Sequence, residues 1–242
     1  MQKLRFFIKA FLACIVGLCA NANALNWQSK DFANIKNKEQ TMQILIIGAN
    51  GSVAKITTQG LLQGTKANVR LYLRNSSRLA NVQKEYPNRV QLIEGDALDK
   101  NALIKAMQGV NVVYANLAGG DLPKMAEVII SAMKEAGLKR LIWISSYGVY
   151  GEVNDGSISS VLMPYAKSVQ VVESSGLDYT IIRPQWFSSA DEIDYEITRK
   201  NEAFKNPNAQ ISRKSIAHLV IRLCLEPNFG IKESLGINKP AK

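Results

Sequence analysis

From residue 43 onward, short apolar runs alternate with longer segments in which apolar positions recur every three or four residues. The short runs suit strands buried on both faces, and the longer segments suit helices with one apolar stripe. Strands are predicted over 43–47, 68–73, 90–93, 110–115, 140–145 and 178–183. Helices are predicted over 52–63, 78–85, 100–107, 122–136, 163–175 and 215–225, the last stopped by Glu226-Pro227. Gly64, Gly109, Gly137 and Gly176 fall just past helix ends, where a left-handed cap favours glycine. This alternation builds βαβ units, and six strands suit a doubly wound parallel sheet of order 3-2-1-4-5-6. The expected fold is one three-layer αβα domain over residues 42–242, with no Pro/Gly-rich linker dividing it.

The first 41 residues follow a different pattern. Lys3, Arg5 and Lys9 precede the apolar run 10–20, and Ala22-Asn23-Ala24 follows. A basic start, a short apolar core and a small-x-small site describe a secretory signal peptide over 1–24, cleaved after Ala24. The run is too short for a membrane span. Residues 25–41 then form a linker. Export is one expectation. The other is a cytoplasmic protein whose translation starts at Met42, directly before the first strand.

Composition narrows the picture only a little. At 47% hydrophobic and 21% charged, the 242 residues suit a globular domain with a sizeable core, with no repeat or low-complexity stretch. The net charge is +10, of which +4 sits in residues 1–41; the remaining +6 is scattered, so no nucleic-acid partner is expected. Cys14 and Cys19 lie in the leader, leaving Cys224 alone in an apolar helical stretch as a core residue.

The first strand runs into Gly48-Ala49-Asn50-Gly51-Ser52-Val53-Ala54, which opens a helix. Gly48 permits a tight turn, Gly51 removes a side chain that would block a pyrophosphate, and Ala54 lets helix and strand pack closely. The free N–H groups at the helix start then face phosphates. The second strand ends in Leu73-Arg74-Asn75-Ser76-Ser77-Arg78, with no carboxylate nearby. An acidic residue there would hold a ribose 2′-hydroxyl. Arg74 and Arg78 suit a 2′-phosphate instead, so NADP(H) is expected in preference to NAD(H).

With these motifs in place, the chain resembles the short-chain dehydrogenase/reductase superfamily, and most closely its atypical NAD(P)H-binding branch of NmrA-like regulators and flavin, biliverdin and quinone reductases. The resemblance covers nearly all of 42–242. It is carried by the 48–54 motif, Leu73-Arg74-Asn75, Glu94-Gly95-Asp96-Ala97-Leu98-Asp99, Ile144-Ser145-Ser146-Tyr147-Gly148-Val149-Tyr150-Gly151 and Gly176-Leu177-Asp178-Tyr179-Thr180-Ile181-Ile182-Arg183-Pro184. The resemblance implies a Rossmann fold in which Asp96 and Ala97 contact adenine. Asn116, Leu117 and Ala118 would line the ribose and nicotinamide side, next to Ser145. Arg183 and Pro184 would shape the mouth of a substrate pocket.

The superfamily's common mechanism uses a serine, a tyrosine and a lysine four residues after the tyrosine. Ser146 matches the serine, and Tyr165 is the best tyrosine. The position four residues on is Val169, however, and Lys167 is only two away, on nearly the opposite face of a helix. His218, the sole histidine, sits in an apolar helix and reads as structural, and no metal spacing or nucleophile elbow is present. The acidic run Asp191, Glu192, Asp194 and Glu196 reads as a solvated face, and Trp186 and Phe187 as either a stacking surface or a core edge. Hydride transfer to a quinone or flavin does not require an acid residue. The leading expectation is therefore an NADPH-dependent reductase of a flat conjugated small molecule. A non-catalytic NADP(H)-sensing module and a sugar-nucleotide epimerase or dehydratase are the alternatives.

Overall fold

The computed structural model describes residues 26–152 and 156–241. The leader expected over 1–24 lies outside the described residues. From Gln43 the chain runs β1 (Gln43–Ile47), α1 (Ser52–Gly64), β2 (Asn68–Leu73), a 3-10 turn (Ser76–Leu79) leading into α2 (Ala80–Glu85), and β3 (Val90–Glu94). It continues through α3 (Lys100–Met107), β4 (Val112–Ala115), α4 (Leu122–Glu135), β5 (Arg140–Ile144), α5 (Met163–Glu173) and β6 (Asp178–Pro184). Three short strands follow, β7 (Phe187–Ser188), β8 (Glu196–Thr198) and β9 (Ile211–Ser212), and then α6 (Arg213–Leu225) and β10 (Glu233–Asn238).

The main sheet has the order β3-β2-β1-β4-β5-β6-β10-β8. The expected doubly wound order is present, and β10 extends it in parallel with β6 while β8 closes the edge antiparallel to β10. Helices cover both faces. Ile44 and Ile46 of β1 pack with residues of α1 and α6 such as Val53, Leu61 and Leu219, all buried. Leu45 and Ile47 face the other way, into Leu103 of α3, Ile129 of α4 and Val169 of α5. Burial on both faces is why these strands read as unbroken apolar runs, and each such side chain contributes about 1.5–3 kcal/mol.

β10 was absent from the sequence expectation. Its run Glu233-Ser234-Leu235-Gly236-Ile237-Asn238 is broken by serine and glycine, yet it is almost wholly buried. Gly236 has a packing reason, since a Cβ there would lie 2.2 Å from Phe204 Cε1 and 2.4 Å from Thr198 Oγ1. Gly109, Gly137 and Gly176 do take positive φ after helices, as expected. Gly64 does not. It ends α1 in ordinary helical geometry, and a Cβ on it would meet the ring of Phe32 at 2.1 Å.

That contact belongs to residues 26–41, which the sequence suggested were a linker and which instead pack along α1 and α6. Trp27, Phe32 and Ile35 are buried in the same core layer as those helices. A Cβ on Gly60 would strike Trp27 at 2.7 Å, so two glycines one turn apart open a groove for two aromatic rings. Polar bonds fix the segment further. The buried Lys214 Nζ donates to Asn26 O (2.7 Å) and pairs with Asp191 (2.7 Å) and Asp31 (3.2 Å). His218 Nε2 lies 2.9 Å from Asp31 O and its Nδ1 2.9 Å from Tyr195 Oη. A carbonyl can only accept, so Nε2 carries the proton and Nδ1 accepts from the tyrosine.

Candidate cofactor-binding site

β1 to β4 end along one edge of the sheet, above a cleft of about 520 Å³. Open α/β sheets bind ligands at this edge, where the strand order reverses between β1 and β4, and the volume suits a small-molecule site. The chain leaves β1 through Gly48, whose φ of +77° is left-handed. Gly48, Asn50 and Gly51 line the cleft, while Ala49 and Val53 are buried beneath it and Ser52 is exposed on the first turn of α1. No side chain caps this end of α1, so its first N–H groups are open to an anion.

The glycines have a second reason beyond a phosphate. A Cβ on Gly48 would lie 2.2 Å from Asn116 O, and one on Gly51 would lie 1.9 Å from Asn116 Nδ2. Asn116 follows β4, its N–H donates to Ile47 O (2.8 Å), and its Oδ1 accepts from the buried Tyr114 hydroxyl (2.9 Å). The loops after β1 and β4 therefore interlock through one amide, with Leu117 and Ala118 continuing along the cleft.

At the other end stand Arg74, Asn75 and Arg78 from the loop after β2, and Gly95, Asp96 and Ala97 from the loop after β3. Tyr72 joins the two loops, donating to Asp96 O (2.8 Å), and Gly95 leaves room for its ring. Burial, with Asp99 and Asp96 nearby, pushes the Tyr72 hydroxyl up to about 12, so it remains a donor. Arg74 and Arg78 are exposed, and neither guanidinium forms an ion pair or hydrogen bond among the described residues. One expectation needs correction. No carboxylate occurs in the β2 loop itself, but pairing of Leu73 with Glu94 brings the Glu94 carboxylate to it from β3. That carboxylate accepts from Ser76 N (2.9 Å) and Ser76 Oγ (2.8 Å).

The residues expected after β5 and β6 lie beyond this cleft. Ser145 is buried, and its hydroxyl has no hydrogen-bond partner among the described residues. Ser146 Oγ donates to Tyr147 O (3.1 Å). Tyr165 is half-buried on α5. Val169, four residues on, is buried, and Lys167 is exposed, so the helix presents no lysine at the required position. Arg183 is buried, with its guanidinium paired to Glu152 (2.6 Å) and bonded to Ser234 Oγ (3.1 Å) and Arg199 O (3.1 Å). It ties loops together instead of presenting a charge to a ligand. Pro184 is buried too, and its carbonyl accepts from Tyr147 N (3.1 Å).

Sequence reasoning passed over Tyr147 and Phe204. Their rings stack with centroids 3.9 Å apart, and no local motif joins residues 57 positions apart. Trp186, next along from β6, is 82% exposed, so of its two readings the core edge falls away. Other candidates resolve as structural. Burial raises the Cys224 thiol to about 12. Asp191 pairs with Lys214, and Glu192 and Asp194 pair with Lys239. No metal-binding group of His, Cys, Asp or Glu occurs among the described residues, and no helix among them is long and apolar enough to cross a membrane.

Comparison with known proteins agrees with this geometry. A family profile described as NAD(P)H-binding matches residues 48–227. A Rossmann-fold NAD(P)-binding family protein from Shigella flexneri is 39% identical with a TM-score of 0.73, covering 84% of this chain and 96% of that one. A short-chain dehydrogenase/reductase from Veillonella parvula, solved in complex with NADP, is 24% identical with a TM-score of 0.73, covering 83% and 95%; that likeness is one of fold. A phenylcoumaran benzylic ether reductase of Pyrus communis is 28% identical over 160 residues, 60% of this chain and 49% of that protein. An isoflavone reductase homolog of Nicotiana tabacum is 28% identical over 155 residues with the same coverage, so the chain spans about half the length of the curated relatives it matches. The glycine cradle, the strand order and these matches together show that the chain belongs to the NAD(P)H-binding family.

Proposed function

We propose that this protein is an NADPH-dependent reductase of a flat conjugated acceptor, a quinone, flavin or similar ring. The observation that carries the cofactor choice is the pair of unpartnered guanidiniums, Arg74 and Arg78, at the ribose end of a glycine-cradled cleft. The open N–H groups of α1 would hold the pyrophosphate, and Asn116, Leu117 and Ala118 would guide the chain of the cofactor toward β5. When bound, the reduced nicotinamide supplies the hydride. The protein's own part is to bind, align two rings and exclude water.

Two features support a conjugated acceptor. α5 offers no lysine to lower the pKa of Tyr165, so a carbonyl would lack its usual proton donor set, whereas a quinone or flavin takes its proton from solvent. The half-buried Tyr147, whose ring rests on the buried Phe204, and the exposed Trp186 supply aromatic surface after β5 and β6. The curated relatives named above are reductases by name, which agrees with the direction of transfer. A sugar-nucleotide epimerase is disfavoured because the segment 185–212 supplies only short strands and leaves little room for a sugar-nucleotide domain.

The test is NADPH oxidation by the purified protein with a panel of quinones and flavins, followed at the nicotinamide absorbance. Turnover, with Tyr165→Phe changing kcat less than threefold, is the expected result. NADPH binding without turnover would refute the reductase reading and favour a sensing module. A cofactor that copurifies tightly and is recycled would point to the epimerase.

A further inference from the structure

We infer that Glu94 is a specificity-positioning residue. By capping the loop after β2, it holds Arg74 and Arg78 ready for a 2′-phosphate. This rests on the NADPH reading above and deepens it.

Strand register brings Glu94 to this loop. β2 and β3 are parallel, and Leu73 pairs with Glu94, so both strands end at the same level. The chain then turns through Arg74 and Asn75 into the 3-10 turn Ser76–Leu79. A turn of this kind begins with unpaired N–H groups, which a neighbouring side chain normally satisfies. Asn75 stands at the capping position, but its Oδ1 accepts instead from Ser77 Oγ (2.6 Å), and no cap bond forms. The Glu94 carboxylate takes that role from the next strand, accepting both the N–H and the hydroxyl of Ser76. These two donors hold its carboxyl below the usual carboxylate range, so it is ionised at neutral pH.

The cap affects the cleft in two ways. Ser76, a natural phosphate ligand by its N–H and hydroxyl, is committed to Glu94, which leaves a 2′-phosphate to the two guanidiniums. The carboxylate in turn is committed to Ser76 and forms no ion pair with Arg74 or Arg78, so it orders the loop without neutralising the charges that recognise the ligand. Arg74 and Arg78 lie on either side of the capped residue. Releasing the cap would let the loop fluctuate, and NADPH would have to order it on binding.

The experiment measures dissociation constants for NADPH and NADH, by nicotinamide fluorescence, in wild type, Glu94→Ala, Glu94→Gln and Ser76→Ala. Wild type should prefer NADPH. Losing a cap is worth about threefold to tenfold, so Glu94→Ala should weaken NADPH by that factor and NADH by less than twofold. Ser76→Ala, which keeps the N–H, should lie between. Glu94→Gln keeps an acceptor oxygen and removes the charge, so a positioning role requires NADPH affinity at or above wild type. A wild type without preference overturns the 2′-phosphate reading and this inference together. A preference that persists unchanged in Glu94→Ala, an equal loss for both cofactors, or a Glu94→Gln variant as weak as Glu94→Ala overturns the assignment of Glu94 alone.

Discussion

Gly64→Ala should destabilise the protein, and should do so only while Phe32 is present. A Cβ on Gly64 would lie 2.1 Å from Phe32 Cε2 and Cζ, far inside the 3.5–4.0 Å of a favourable carbon contact. Overpacking of this kind costs about 1–3 kcal/mol, with the loss of a buried phenylalanine, about 3–5 kcal/mol, as the ceiling if the ring leaves its seat. Phe32→Ala by itself should cost an amount in that second range, because the ring is 2% exposed. In the Phe32→Ala background the collision partner is gone. Gly64 has ordinary helical geometry, so alanine there should be neutral or stabilise by up to about 1 kcal/mol through its helix propensity. The double-mutant cycle therefore predicts a coupling of about 1–4 kcal/mol. In thermal unfolding this is a fall of about 4–10 °C for Gly64→Ala in wild type against no fall in the variant. Equal destabilisation in both backgrounds would show that residues 26–41 do not rest on α1.

Other residues offer separate checks. Arg74→Ala should weaken NADPH at least tenfold, the loss of a charge-assisted phosphate contact of about 1.5–3 kcal/mol, and leave NADH within twofold; equal losses would sink the 2′-phosphate assignment. His218 is the chain's one histidine, and its pKa is lowered chiefly by burial, with the Asp31 carbonyl opposing. The unfolded state then binds the proton more readily, so stability is complete above about pH 6.5 and falls as the pH drops below it. The melting temperature should decline between about pH 6.5 and 5.5 in wild type and stay flatter in His218→Gln; matching curves would remove His218 as the cause. Mass spectrometry of the protein purified from its native host should find an N-terminus upstream of Asn26, because Trp27, Phe32 and Ile35 complete the α1–α6 core. A native chain starting at Met42 would refute that.

What was legible in the sequence was what is local along the chain. The buried strands announced themselves as apolar runs, the strand order followed from their alternation with helices, and Gly48, Gly51, Arg74, Asp96 and Asn116, each next to a strand end in the sequence, line one cleft. What stayed hidden depends on neighbours that only folding creates. β10 carries Gly236 for the sake of Phe204, so its strand signal is diluted by a packing demand 32 residues away. The segment 26–41 has no periodicity to declare a core role. Its counterpart signal is in α1, where Gly60 and Gly64 sit one turn apart in a helix that would otherwise favour alanine.

Glu94 shows the same limit at the site itself. Read along the chain, the stretch from Arg74 to Arg78 contains no acid, and the nearest one C-terminal to it is Glu85. Read across the sheet, the neighbour of Leu73 is Glu94, because parallel pairing sets the ends of β2 and β3 side by side. A cofactor-specificity rule that inspects only the loop after the second strand therefore counts half of the residues at that corner. In a parallel sheet every binding loop has a partner loop on the adjacent strand, and the charge that a ribose or phosphate meets is the sum of both. Here the partner contributes Glu94, bonded to Ser76, and Asp96, bonded to Leu98 N, and neither pairs with a guanidinium, so Arg74 and Arg78 stay free to meet a phosphate.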